Sequence, residues 1–349
     1  MIPLNWCFIL LIKRYLMRRK YVYDFFDTGY LYLDIRSGEA HQKGHIPGSI
    51  SVPLGYELKG MGRKTGKTGN AGRRLLAEAA ATWASGIMTG KVPDQPLIIY
   101  NTDGGIAAEF ARDAIAGTIG AFILRGGYRN YRRNVRRLFG HQFPFVVLAG
   151  KTGTGKTLLL QKMHNNDIQV LNLEKLAGTA GSAFGRIGIG EPQPSQEQFE
   201  NLLAHVLMRF NTGQPIFAEE ETRPLGQCYL PAPLADQLAA APRIILQLPK
   251  AERIRNLVNA YAGIDDPGLI RAVHSITPRL GEALAGKLIK LVQQKAYEEV
   301  AGHLLDYYDH AAGYSTCQRD HDRVIKADSM DELFEKTMRT ATDLKGFTK

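Results

Sequence analysis

Residues 150–157 (GKTGTGKT) constrain the fold of this chain more than any other part of its sequence. They match the pattern G-x-x-x-x-G-K-[ST], directly after the apolar run at 145–149 and directly before a helical pattern at 158–163. A glycine-rich turn between a buried strand and a helix lets successive backbone N–H groups surround phosphate oxygens. The segment therefore predicts a P-loop within an α/β domain, which takes a diphosphate or a nucleotide.

The residue types of this segment predict separate roles in phosphate binding. Glycines permit the tight turn, Lys156 neutralises charge on the terminal phosphates, and the hydroxyl of Thr157 is suited to Mg²⁺. The predicted phosphate-binding set is Gly150, Gly153, Gly155, Lys156 and Thr157.

An enzyme with a P-loop usually carries an acid at the end of a neighbouring strand. The apolar run at 215–218 is a predicted strand, and Glu219, Glu220 and Glu221 follow it. Strand alternation would send Glu219 and Glu221 to one face and Glu220 to the other. One of the three is expected to serve the metal or a bound water, and the sequence leaves open which.

The first half of the chain also alternates strands and helices. Apolar runs at 30–34, 97–100 and 120–124 are predicted strands, and 106–116 has a helical pattern. This order predicts a parallel sheet, so the fold class is α/β in both halves. The predicted organisation is an extension at 1–26, a first domain at 27–140, a P-loop domain at 141–320 with a helical part from about Leu234, and a tail at 321–349.

The termini and the cysteines predict a protein of the cytoplasm. The apolar stretch at 1–12 is shorter than the ~20 residues that span a bilayer, so no stable membrane insertion is expected. A packed extension and a true start at Met17 both remain open. Three scattered cysteines, Cys7, Cys228 and Cys317, fit neither a disulfide framework nor a zinc site.

Positive charge is concentrated in the first half of the chain. Residues 1–140 contain 21 Lys/Arg and 10 Asp/Glu, while the net charge of the whole chain is +10. Residues 59–74 combine cations with glycines, which suits a phosphate backbone. A second basic segment interleaves arginines with Tyr128, Tyr131 and Phe139, a combination that can bind phosphates while the rings stack on unpaired bases of single-stranded RNA. A solvated loop and an exposed interdomain helix are the alternatives. The predicted RNA-binding arginines are Arg125, Arg129, Arg132, Arg133, Arg136 and Arg137.

Three segments of the first half resemble the rhodanese family: 33–54 (LDIRSGEAHQKGHIPGSISVPL), 98–105 (IIYNTDGG) and 124–133 (LRGGYRNYRR). The family's Y-C-x-R-G-G motif corresponds to residues 100–105, so Asn101 stands at the position of the catalytic cysteine and Asp103 at that of a cation. An amide cannot carry sulfur or selenium. The resemblance therefore predicts a retained scaffold without its own transfer chemistry, in which the anion-binding loop could survive.

The second half is similar to the tRNA 2-selenouridine synthase family at 170–185, 193–201, 219–226 and 304–309. That family joins a rhodanese domain to a P-loop domain in the order seen here. The resemblance implies replacement of sulfur by selenium at wobble 2-thiouridine through an S-geranylated intermediate, with geranyl diphosphate and selenophosphate as substrates. It also implies a diphosphate donor in the P-loop and the tRNA anticodon arm on the basic first domain.

Two departures from the family pattern predict a changed or partial activity. Besides Asn101 and Asp103, residues 177–182 (AGTAGS) lack the histidine and arginine of the family's A-N-H-R-G-S segment. A separate protein could supply the missing selenium carrier. The competing hypotheses are a catalytically silent tRNA-binding paralogue and a P-loop kinase or NTPase.

Overall fold

The structure is a computed structural model that describes residues 21–22, 29–54, 77–78, 80–82, 84–85, 96–115, 120–179, 192–220, 224–263, 265–310 and 319–344. The basic segment 59–74, Cys7, Cys317, Glu221 and residues 180–182 lie outside this part. The chain divides into two compact units, Met1–Leu138 and Phe139–Lys349. Within the described residues, no helix combines the length and the apolar character needed to cross a membrane.

The first unit is built on a parallel sheet, as the alternation of strands and helices predicts. Its described strands are β1 (Tyr21–Val22), β2 (Leu31–Asp34), β3 (Ile50–Ser51), β4 (Leu97–Tyr100) and β5 (Ala121–Leu124), and the named helices are α1 (Gly38–Lys43), α2 (Ile106–Ile115) and α3 (Gly127–Leu138). The strands have the order β1-β5-β4-β2-β3 across the sheet. The central strands β4 and β5 are buried along their whole length, because they are apolar and covered on both faces.

The second unit is built on another parallel sheet. Its described strands are β6 (Phe145–Gly150), β7 (Val170–Leu171), β8 (Ile216–Glu219), β9 (Arg243–Gln247) and β10 (Arg323–Lys326). Their order across the sheet is β10-β9-β6-β8-β7. The named helices that accompany this sheet are α4 (Lys156–His164), α5 (Leu173–Ala177), α6 (Gln196–Leu207), α7 (Ala232–Ala240) and α12 (Met330–Leu344). The α/β fold class predicted for both halves is confirmed.

A helical part follows β9, and its core is separate from the core beneath the sheet. It comprises α8 (Lys250–Tyr261), α9 (Asp266–Leu280), α10 (Glu282–Gln293) and α11 (Tyr297–His310). Apolar residues such as Val273, Leu288 and Leu304 pack together between these helices. The helical part brings α8 and α11 to the P-loop.

Both ends of the chain contribute strands that the sequence does not predict. Tyr21 and Val22, within the predicted extension 1–26, pair with β5. Within the predicted tail 321–349, β10 pairs with β9, and Ile325, Leu333 and Ala341 join the core beneath α4. The two strand segments are short, and each forms by pairing with a strand far away in the chain, whereas α12 is an amphipathic helix whose buried residues recur at helical spacing.

Candidate functional site

The P-loop forms the predicted strand–turn–helix unit, with β6 ending at Gly150 and α4 beginning at Lys156. The Lys156 ammonium donates to the Gly150 carbonyl at 2.8 Å and lies 3.4 Å from that of Lys151. The Thr154 hydroxyl donates to the same Lys151 carbonyl at 2.7 Å. The lysine therefore lies along the inside of the turn, at the N-terminus of α4, where phosphate oxygens are favoured.

Two positions of the turn strongly favour glycine. Gly153 and Gly155 have φ of +79° and +75°, in the left-handed region. A Cβ on Gly153 would lie 2.9 Å from the backbone oxygen of Arg253, and one on Gly155 would lie 2.5 Å from the sulfur of Met330. The turn is thus closely packed against α8 and α12 on its outer side.

Polar side chains of the helical part form hydrogen bonds to backbone carbonyls of the P-loop. Arg253 donates to the Thr152 carbonyl at 2.8 Å, and the Asn256 amide donates to the Gly153 carbonyl at 2.9 Å. Because a trans peptide points its N–H away from its carbonyl, these bonds direct the N–H groups of the following residues away from α8.

Asp309 on α11 also belongs to this group of polar side chains. It accepts two hydrogen bonds from Arg253, at 2.7 and 2.8 Å, and lies 3.3 Å from the Lys151 ammonium. Hydrogen bonding from Arg253 lowers the pKa of Asp309, so its carboxylate stays charged. No sequence signal pointed to Arg253 or Asn256, and the resemblance at 304–309 was the one signal for Asp309.

The structure distinguishes Glu219 from Glu220. Glu219 lies opposite Leu148 in the β6–β8 register, on the face of Phe217, which packs with α4. It is buried, and its Oε1 has no hydrogen-bond partner within the described part of the chain. Glu220 projects to the other face and forms an ion pair with Arg243, which also pairs with Asp322. Glu219 is therefore the acid on the P-loop side.

In the first unit, the loop after β4 is closed by its own side chains. The Asn101 amide oxygen accepts a hydrogen bond from the Gly104 N–H at 2.6 Å, and Asp103 accepts from the Gly105 N–H at 3.0 Å. These are the N–H groups that would face an anion at the start of α2. An anion bound to this loop, as predicted, would therefore compete with these internal hydrogen bonds for the same N–H groups.

The same loop holds the first turn of α3. The backbone carbonyls of Asn101 and Thr102 accept from the N–H groups of Tyr128 and Arg129, each at 2.9 Å. A Cβ on Gly127 would lie 2.5 Å from the Asn101 carbonyl oxygen, so the two segments are in direct backbone contact. Asn101 therefore has a structural role in positioning α3.

A buried ion pair lies beside this contact. Asp34 is fully buried and accepts from the Arg36 guanidinium at 2.9 and 2.6 Å, and His41 Nδ1 lies 3.0 Å from it. The guanidinium also lies 3.7 Å from the centre of the Tyr128 ring. Burial raises the pKa of Asp34, but hydrogen bonds and charge from Arg36 outweigh it, so the pKa lies below the ordinary value of 3.8.

The helix α3 presents an arginine face and buries its aromatic residues. Arg129, Arg133, Arg136 and Arg137 recur at helical spacing and are exposed, together with the preceding Arg125. Arg132 is only 7% exposed, and Tyr128, Tyr131 and Phe139 are buried. The prediction that these aromatic rings stack on RNA bases is therefore wrong, because the rings lie on the core side of the amphipathic pattern.

Comparisons with known proteins agree with this architecture. Residues 143–343 match the family model described as tRNA 2-selenouridine synthase AAA domain, and residues 19–134 match the rhodanese-like domain. A tRNA 2-selenouridine synthase of Marinobacter nauticus is 29% identical over 84% of this chain and 90% of its own. Relatives of the same name from Sulfurovum sp. and Nitrosomonas europaea are 27% and 26% identical, over 86% and 78% of this chain and 92% and 74% of theirs.

Proposed function

The chain belongs to the tRNA 2-selenouridine synthase family, and on that basis we propose that this tRNA-modifying transferase takes a diphosphate donor in its P-loop. The observation that carries the proposal is the P-loop itself, whose carbonyls are held by Arg253 and Asn256 while Lys156 lies along its inside. We propose geranyl diphosphate as this donor and selenophosphate as a further substrate, acting on wobble 2-thiouridine.

Different residues around the turn can bind different parts of the diphosphate donor and its metal ion. Lys156 and the N–H groups at the start of α4 neutralise and orient the diphosphate. The exposed Thr157 hydroxyl and the buried Glu219 carboxylate fit the oxygen ligands that Mg²⁺ prefers, and they would hold such an ion. When bound, Mg²⁺ would stabilise charge on the leaving diphosphate. Within the described residues, no group of three or more His, Cys, Asp or Glu could hold a metal.

We expect Lys156→Ala to weaken the binding of geranyl diphosphate, measured by calorimetry, by about 1.5–3 kcal/mol, the range for hydrogen bonds to charged groups. Lys162→Ala is the matched control, because Lys162 is on the same helix but pairs with Asp331 at 2.6 Å. Equal affinities of wild type and Lys156→Ala would contradict a phosphate-binding P-loop. Binding and hydrolysis of ATP in place of the prenyl donor would support the kinase or NTPase alternative.

We further propose that the arginine face of α3 holds the anticodon arm of the tRNA. The face carries four exposed arginines and no acid along 127–138, so its charge is not neutralised by neighbouring carboxylates on the helix. Binding through phosphate contacts of this kind releases counterions and becomes weaker as salt rises. The buried side of α3 fixes the helix to the first unit.

Replacing Arg129, Arg133, Arg136 and Arg137 by glutamine should flatten the salt dependence of anticodon stem–loop binding. The log–log slope is expected to fall by about 0.7 for each single-strand phosphate that the variant no longer binds. The control removes the same charge elsewhere, at the exposed Arg255, Arg271, Arg279 and Arg339. If both quadruple variants change the slope equally, the arginine face has no special role.

A second candidate function follows from Asn101. This chain has an amide where the family carries a thiol. That difference favours a tRNA-binding protein without its own selenium transfer, or one that receives selenium from a separate donor protein. Mass spectrometry of tRNA nucleosides from a deletion strain separates these candidates, because loss of 2-selenouridine requires that the chain contribute to its synthesis.

A further inference from the structure

A cavity of about 420 Å³ opens in the second unit on the face of the sheet opposite α4. Its walls are largely apolar and include Val147, Leu230 and Leu238. Four charged residues also line it: Glu219, Glu220, Asp236 and Arg319. The volume lies within the about 300–1,000 Å³ of small-molecule sites. Apolar walls with a few charged groups suit a flat ring that is polar along its edge.

The cavity adjoins the carboxyl end of β8, which pairs in parallel with β6. The P-loop begins at the carboxyl end of β6, so both features lie at the same edge of the sheet. In open α/β sheets this edge is where ligands bind. A molecule in the cavity would therefore lie near a donor held in the P-loop.

Tyr229 lines the cavity and is 61% exposed, although its backbone is firmly held. Its N–H donates to the Gln196 side-chain oxygen at 2.8 Å, and its carbonyl accepts from the same amide at 2.9 Å. A glutamine that forms both bonds fixes the Tyr229 backbone in one orientation. The ring is thus exposed on a rigid support.

The turn before Tyr229 is held in the same way by Gln193. The Gln193 amide donates to the Leu225 carbonyl at 2.9 Å and accepts from the Gln227 N–H at 3.1 Å. A Cβ on Gly226 would lie 2.2 Å from the Gln193 side-chain oxygen, which shows how closely the amide fits the turn. Gln193 and Gln196 belong to the segment 193–201, which resembles the family but has no part in the proposed phosphate binding by the P-loop.

We propose that this cavity receives one unstacked base of the anticodon loop, with the ring of Tyr229 stacked on it. Gln193 and Gln196 are positioning residues that hold this ring. Aromatic side chains stack on unpaired bases, and the base edges accept and donate hydrogen bonds. Here Arg319 can donate to such an edge, and Asp236 can accept. The inference rests on the proposed function, because it requires that the chain bind tRNA.

The test is a double-mutant cycle between Tyr229 and the RNA. Anticodon stem–loops with an abasic site at each loop position in turn are titrated against wild type, Tyr229→Ala and Tyr229→Phe. We expect Tyr229→Ala to weaken binding of the intact RNA about 5- to 150-fold, the equivalent of about 1–3 kcal/mol for base–aromatic stacking. One abasic position should weaken wild-type binding similarly but leave the affinity of Tyr229→Ala unchanged. Tyr229→Phe should retain wild-type affinity.

Salt dependence separates this inference from the proposed function. Tyr229→Ala should leave the salt slope unchanged, because a stacked ring contacts no phosphate. Met208→Ala is the matched control, an exposed apolar residue at the end of α6 that does not line the cavity. Gln196→Met should weaken the coupling between Tyr229 and the abasic position without altering the slope.

Three results would overturn the inference. If wild type binds the RNA with the expected salt slope but no abasic position is coupled to Tyr229, the cavity takes no base and the proposed tRNA face still stands. If wild type shows no salt-dependent binding, the inference and the proposed tRNA face fail together. Equal losses for Tyr229→Phe and Tyr229→Ala would also contradict a stacking role.

Discussion

We expect Asn101→Cys to create a selenium-transfer step that the natural chain, with an amide at this position, is not expected to carry out alone. The natural protein, with geranyl diphosphate, selenophosphate and 2-thiouridine tRNA, should form no 2-selenouridine, because an amide has no nucleophilic pair comparable to a thiolate. The Asn101 side-chain oxygen already accepts the Gly104 N–H at 2.6 Å. A thiolate or a selenium anion on residue 101 would be stabilised by the same donor and by the start of α2.

The neighbouring Asp103 should limit this gain. Its carboxylate accepts the Gly105 N–H at 3.0 Å and adds negative charge beside residue 101. Asn101→Cys together with Asp103→Arg should therefore form more 2-selenouridine than Asn101→Cys alone. The measurement is mass spectrometry of nucleosides from the reacted tRNA, and Asn101→Ser is the control that lacks a thiol.

Selenation by the unaltered protein would contradict this prediction and point to another cysteine. Cys228 is a poor candidate, because it is buried, its thiol faces the Pro194 carbonyl at 3.5 Å, and burial raises its pKa. Replacing Cys7, Cys228 and Cys317 by serine one at a time would identify the source. Geranyl transfer should persist in all of these variants, since it is proposed to depend on the P-loop.

Arg36→Met should destabilise the first unit by about 3–5 kcal/mol, the cost of leaving one partner of a buried ion pair without compensation. Asp34 would remain buried while losing its two hydrogen bonds from the guanidinium. Amide hydrogen exchange of the buried strands β4 and β5 in increasing urea reports on the unfolding of this unit. Arg112→Met is the matched control, because its pair with Asp113 is more exposed and worth about 0.2–1 kcal/mol.

The effect of Arg36→Met should depend on pH. In wild type the pKa of Asp34 is lowered, so its contribution is present above pH 3.8 and is lost as the pH falls through the folded-state value. In the variant, burial raises the pKa of Asp34 with less opposition, and acid then neutralises the uncompensated charge. The difference in unfolding free energy should be largest near neutral pH and decrease in acid. A difference that grows in acid would contradict this account.

Features that depend on local backbone conformation were predictable from the sequence. The P-loop follows from glycines, a lysine and a threonine within one short segment, flanked by an apolar strand and a helix. The parallel α/β architecture follows from the alternation of apolar runs and helical patterns. Strand alternation also predicted that Glu219 and Glu220 lie on opposite faces, since that relation involves adjacent residues only.

Other features depend on contacts between residues far apart in the chain, and only the tertiary structure decided them. It selected Glu219 as the acid on the P-loop side, because α4 packs on that face and Arg243 binds Glu220 on the other. It brought Arg253 and Asp309 to the P-loop backbone and Gln196 to Tyr229. Side-chain hydrogen bonds reach only about 3 Å, so such partners are identified by the packing of helices and strands rather than by local sequence patterns.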